Sequence, residues 1–161
     1  LTLNPAELLR QSRDTTRVSD LNTMKSALAL YVTDQSSAIG YSLGVSRTCY
    51  QSLGTASGTC PSFPTQNAII GKATRTSDGN GWIPINFSAV TTGAPIGALP
   101  ADPTNNFNFF YAYISSSTSN VYKLAAPLES LKYASSGSSD LASTDGGTSV
   151  IWYETGTNLS M

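Results

Sequence analysis

One segment constrains this fold more than any other: NPAELLRQSRDTTRVSDLNTMKSALALYVTDQ, residues 4 to 35. Asn4 is a favoured N-cap, Pro5 fits the first helical position, and Glu7 stands where a capping box places its acid. Val18, Leu21, Met24, Leu28 and Tyr31 recur at three- and four-residue steps, which draws one apolar stripe along the second half. The first half, to residue 17, has only Ala6, Leu8 and Leu9 as apolar residues. Its charges are spaced to bridge along the surface as Glu7–Arg10, Arg10–Asp14, Asp14–Arg17 and Arg17–Asp20. The pattern predicts one long helix whose C-terminal half lies on a domain while its N-terminal half projects from it.

That helix holds four of the nine basic and four of the ten acidic residues, so the rest of the chain is nearly uncharged. Charge at 12% is about half the usual share. Ser, Thr, Asn and Gly take its place, a composition more typical of extracellular proteins. A net charge of −1, with no basic patch after residue 25, argues against a nucleic-acid partner. No apolar run approaches the roughly 18 residues of a membrane span. The 161 residues suit a single domain, 1–161, divided into the helix (1–34), a loop-rich region (35–106) and a β-sheet with its tail (107–161).

The two cysteines, Cys49 and Cys60, cannot complete a structural zinc site in a chain without histidine. The Gly/Ser/Thr segment between them is flexible enough to close as a disulfide, which would stabilise the fold by about 3 kcal/mol and place the chain outside the cytoplasm. The other reading is two buried thiols in a reducing compartment.

Between Asp34 and Gly81 periodicity is weak, apart from the apolar patch Ala68-Ile69-Ile70, so short strands or helical turns are expected to hide there. GWIPINFSAV (81–90) and GAPIGALPADP (93–103) are punctuated by Pro and Gly and read as extended loop. Strand character concentrates late. In FNFFYAYI, Phe107, Phe109, Tyr111 and Tyr113 share one face, and Phe110, Ala112 and Ile114 the other. SSSTSN follows as a loop, NVYKLAAPL (120–128) is a second strand that Pro127 should end, and 150–153 forms a third. One long helix packed on a small antiparallel β-sheet, with a cysteine-closed loop, is an α+β fold.

Catalytic chemistry finds little footing. Histidine is absent, and no GxSxG, P-loop or GxGxxG pattern occurs. Asp140 and Asp145, in SSDLASTDGG, come nearest to a calcium loop, but their spacing departs from the EF-hand pattern, and a plain turn is the competing reading. Trp82 and Trp152, with eight tyrosines, could build a sugar-binding face; core packing is the blander account. Asn86-Phe-Ser88 and Asn158-Leu-Ser160 match the glycosylation sequon, a common pattern.

The helical segment resembles the second half of the N-terminal helix of type IV pilins and type II secretion pseudopilins. That helix typically reads ARD-x-x-R-x-x-DL-x-x-I-x-x-AL-x-x-Y, and Arg13, Asp14, Arg17, Asp20, Leu21, Met24, Ala27, Leu28 and Tyr31 fall on its positions. GWIPINF and LPADPTNNFNFFYAY resemble the GWIPV…LPVDP-x-NN-x-x-YYYTY stretch of a bacterial pilin-like group, and KLAAPLES and DGGTSVIWYETGTNLS resemble its closing strand and tail. The resemblance covers about half of the chain and leaves 35–80 unmatched.

It implies a non-catalytic subunit of an extracellular, cell-surface filament, either a pilus or a secretion pseudopilus. Its partners would be other pilin subunits and the pilus assembly machinery. Mature members of the family begin with an aromatic residue and a hydrophobic stretch carrying a glutamate, so this chain reads as the part that follows that stretch. Before assembly, only that stretch would anchor the subunit in the inner or cytoplasmic membrane. Glu7, Arg10, Arg13, Asp14, Arg17 and Asp20 would meet neighbouring subunits, and Val18, Leu21, Met24, Leu28 and Tyr31 would pack the helix on the sheet. No cofactor is implied beyond a calcium ion at Asp140 and Asp145, where the family's Gly/Asp-rich loop is faintly echoed. The cap at Asn4 would mark where a longer helix restarts after a break. A secreted, non-catalytic binding module for carbohydrate or surface adhesion is the alternative.

Overall fold

The computed structural model describes residues 4–60, 62–63 and 66–161. Helix α1 runs Pro5–Gln35, 31 residues. Asn4 adopts an extended conformation and its side chain accepts from the Glu7 N–H at 3.4 Å, so the cap forms as the sequence predicts. The reciprocal half of the capping box does not: the Glu7 carboxylate accepts from the Leu131 N–H instead, at 2.8 Å. Any break ahead of Asn4 falls on residues 1–3, outside the described residues.

Five strands form one sheet: β1 (Thr48–Gln51), β2 (Ala68–Gly71), β3 (Ala112–Ser116), β4 (Val121–Pro127) and β5 (Trp152–Gly156), in the order β2-β1-β3-β4-β5. The expected antiparallel hairpin is β3–β4, with Ala112 opposite Ala125 and Ser116 opposite Val121. β5 pairs antiparallel to β4, placing Glu154 opposite Ala125. The sheet as a whole is mixed, which corrects the all-antiparallel expectation. β1 lies parallel to β2, the strand formed by the Ala68-Ile69-Ile70 patch, because the cysteine-closed loop between them returns the chain to its starting end.

Two strand boundaries also differ from the sequence reading. Asn106 and Phe109 exchange backbone hydrogen bonds and close a tight turn, so Phe107 is exposed and the strand starts only at Ala112. The Ser149 hydroxyl accepts from the N–H groups of Ile151 and Trp152, which holds Val150 and Ile151 outside the sheet, and β5 begins at Trp152.

Both faces of the central strands are buried, while the edge strand β2 stays partly exposed. Helix residues Leu21, Met24, Ala27, Leu28 and Tyr31 pack with Tyr111, Tyr113, Tyr122 and Leu124 on one face, and Trp82, Ile83, Ile85 and Phe87 close its side. Burying each large aliphatic side chain contributes roughly 1.5–3 kcal/mol. The opposite face carries Phe110, Ala112, Ile114, Ala125 and Trp152, covered by Cys49, Leu53, Cys60 and Phe63 of the disulfide region. The period-2 alternation of residues 110–114 therefore holds. Pro- and Gly-rich 81–103 is mostly loop, as expected, with a 3-10 turn at Phe87–Ala89. Gly81 is required there, since a Cβ would lie 2.1 Å from the Thr76 carbonyl oxygen and 2.5 Å from the Leu99 side chain.

Candidate functional site

The helix charges do not all face outward. Arg17 and Asp14 are fully buried, in a cluster that joins helix to domain. Arg17 Nε and Nη2 donate to the two Asp102 oxygens at 2.6 and 3.0 Å, and Nη1 donates to Asp14 at 2.8 Å and to Glu129 at 2.7 Å. The guanidinium carbon lies 4.7 Å from the centre of the Phe109 ring. Arg13 binds both oxygens of Glu129, at 2.6 and 2.7 Å. Asp14 also accepts from the Glu129 and Ser130 N–H groups, so its carboxylate anchors the 129–131 loop.

Burial opposes charge on Arg17, but the hydrogen bonds it donates to Asp102, Glu129 and Asp14 and the charge of Asp102 outweigh it and raise the pKa. The Arg13 bond, aided by Arg17, pulls the Glu129 pKa down to about 2. Three carboxylates converging on one point resemble a cation site, and the guanidinium fills it. Among the described residues no group of three or more Cys, Asp or Glu is placed to hold a metal.

The other residues of the charged stretch divide by turn. Asp20 accepts from the Tyr111 hydroxyl at 2.7 Å, and burial raises its pKa. Glu7 meets Leu131 and pairs at 3.8 Å with Arg10, whose side chain is 47% exposed. Of the four pairs expected along the surface, Glu7–Arg10 and Asp14–Arg17 form, and the second is buried. Leu8 and Leu9 stand 48% and 61% exposed beside Arg10. Of the apolar stripe, Leu21, Met24, Leu28 and Tyr31 lie in the core. Val18 is half-buried at the wall of a groove of about 270 Å³ between the helix and residues Tyr133 and Leu141.

A second buried ion pair lies away from the helix. Lys123 of β4 and Glu154 of β5 pair at 2.7 Å on the disulfide-covered face, both side chains fully buried. Lys123 Nζ also donates to the backbone oxygens of Ser62 and Leu159, at 2.5 and 3.1 Å, and sits 5.0 Å from the Phe63 ring centre. The Cys49–Cys60 disulfide is formed, joining β1 to the loop that carries Ser62 and Phe63.

Asp140 and Asp145 serve turns. Asp140 accepts from the Ser136 and Ser143 N–H groups, and Asp145 from Gly147 and Glu154. Trp82 and Trp152 are both in the core, 1% and 5% exposed, so neither indole offers a face for a sugar. Asn86 is exposed and caps the 3-10 turn through the Ser88 N–H.

No protein-family profile, curated protein or solved structure matches the chain. Among the described residues no helix is long and apolar enough to cross a membrane.

Proposed function

We propose that this chain is a structural subunit of an extracellular pilus or pseudopilus, non-catalytic, polymerising through its N-terminal helix with other copies or related subunits. The observation that carries this reading is the division of α1. Its second half is core, its middle is clamped to the domain by Arg17, and its first turns hold Leu8, Leu9 and Arg10 out of the domain. A clamp of buried, charge-assisted hydrogen bonds lets load on the helix pass to the globular domain without hinging. In the filament a preceding apolar segment would pack at the axis, and the disulfide region would face outward, where loops carry surface variation.

The test is the encoded sequence upstream of Leu1 together with immunogold electron microscopy of the source cells. A prepilin-type cleavage site, an apolar segment of about 20 residues and gold along surface filaments are expected. An ordinary signal peptide cleaved just before this domain, with label free in the medium, would falsify the proposal.

A further inference from the structure

From the geometry we infer a covalent cross-link inside the sheet: Lys123 Nζ condenses with the Glu154 carboxyl to an amide that ties β4 to β5. Among the described residues this is the one ion pair made by a lysine; the others use arginine, whose guanidinium stays protonated and is no nucleophile. The strand register sets Lys123 opposite Gly156 and Glu154 opposite Ala125, a diagonal that the long lysine stem spans. Nζ stands 2.7 Å from Oε1, yet Oε1 accepts no hydrogen bond among the described residues, so this close approach lies outside hydrogen-bond geometry. The rest of the carboxyl is fixed in place. Oε2 accepts from the Ser149 N–H at 2.8 Å, and Ser149 is itself held through its hydroxyl by the Ile151 and Trp152 N–H groups. Gly147 leaves the space that Oε2 fills, since a Cβ there would collide with it. Asp145 accepts from the Glu154 N–H at 2.6 Å, which positions the backbone of the same residue.

The ammonium first passes one proton to Oε1, which leaves a neutral amine beside a neutral acid. The Nζ lone pair then attacks Cδ and a C–N bond forms, while charge gathers on Oε2 under the Ser149 N–H. Oε1 takes a second proton from Nζ and departs as water. The third proton stays on the amide nitrogen, and Oε2 becomes the amide oxygen. Nothing is oxidised or reduced, and no further reactant enters. Two effects drive the step. Partners held together by a fold react as if at an effective molarity on the order of 10⁵–10⁸ M. Condensation also removes two charges from the layer of Phe63, Phe110 and Trp152, where isolation from water makes charge costly. Because the ion pair must transfer a proton before it can react, the step is slow against folding. A freshly folded chain therefore carries the ion pair, and an aged one the amide.

The cross-link concerns one chain alone and stands apart from the filament reading. Its test follows the full 161-residue chain, folded with its disulfide intact, by intact-mass spectrometry over days at physiological temperature. A species lighter by one water is expected to accumulate, and digestion followed by tandem mass spectrometry should return a branched peptide joining Lys123 to Glu154. The same chain held unfolded in urea should keep its full mass, because the partners then lose their fixed proximity. Lys123→Arg, checked for folding by circular dichroism, should keep it too, since it retains the cation without the nucleophile. A folded wild type that never loses water overturns the cross-link, as does equal loss in the unfolded chain or in K123R. So does a water loss that maps to a linear peptide at Asp78-Gly79 or Asp145-Gly146, where an aspartate can cyclise on the next backbone nitrogen.

Discussion

Arg17 and Asp102 form a two-pronged pair, Nε and Nη2 on the two carboxylate oxygens, between residues 85 apart in the chain. Asp102 is itself held by the N–H groups of Thr104 and Asn105, so the acid is aimed before the arginine arrives. The pair fixes the middle of α1 to the loop that leads into β3. Replacing Arg17 by Met leaves Asp14 and Asp102 buried without their cation. Breaking a buried pair from one side costs about 3–5 kcal/mol, and that loss is expected in urea unfolding of R17M. R17K should recover only part of it, because an ammonium cannot grip both Asp102 oxygens in a planar fork.

Glu129 gives the cluster a pH dependence of known sign. Its folded pKa, about 2, lies below the ordinary 4.5. Its contribution is therefore complete above 4.5 and is lost as pH falls from there toward 2. Thermal unfolding across that window should show a falling midpoint in the wild type and a shallower fall in E129Q. E129Q should itself start lower, since Arg13 and Arg17 lose a charged acceptor. Equal slopes for the two proteins would show that Glu129 does not report the cluster.

How far the sequence revealed this cluster depended on the kind of signal each residue carried. The helix was legible throughout, because Asn4, Pro5 and the 18–31 stripe are local signals read one turn at a time. Arg17 and Asp14 were legible as an ion pair but not as buried. Their periodicity places them on the charged half, and only the distant Asp102 and Glu129, which no local pattern links to them, make burial tolerable. Strands β1 and β2 escaped for a related reason. TCYQ and AIIG are four residues each and are stabilised by pairing with one another, by the pairing of β1 with β3 and by the disulfide loop, not by their own alternation. Lys123 could have been noticed: in VYKLAAP it alternates onto the face of Ala125, an unusual place for a charge.

The Cys49–Cys60 disulfide covers the sheet face opposite the helix. Replacing both cysteines by Ser should cost about 3 kcal/mol in the chain-entropy picture, with two serine hydroxyls left in an apolar layer adding to it. Because the loop brings the Ser62 oxygen to Lys123, hydrogen exchange should rise first at Phe63 and along β4. Exchange that rises equally along α1 would argue against such a local role.

Lys123 is the node at which the disulfide loop, β5 and the C-terminal tail meet. Its ammonium is held by Ser62 and Leu159 oxygens and by Glu154, with no exposed atom to draw on water. K123M removes the cation and its bonds to the Ser62, Leu159 and Thr148 oxygens and leaves the Glu154 carboxylate buried without its counter-charge, so a loss of about 3–5 kcal/mol is expected. E154Q removes the paired charge but keeps an oxygen for the Ser149 N–H, which now donates to the carboxylate at 2.8 Å, and should cost less. The double variant distinguishes a coupled pair from two independent polar sites. If the charges stabilise one another, K123M/E154Q should fall short of the summed single losses by at least about 1 kcal/mol. Strict additivity would mean that Lys123 acts through its other acceptors, the backbone oxygens of Ser62 and Leu159 and the Thr148 hydroxyl. In that case exchange protection at the C-terminal tail should be lost in K123M and kept in E154Q.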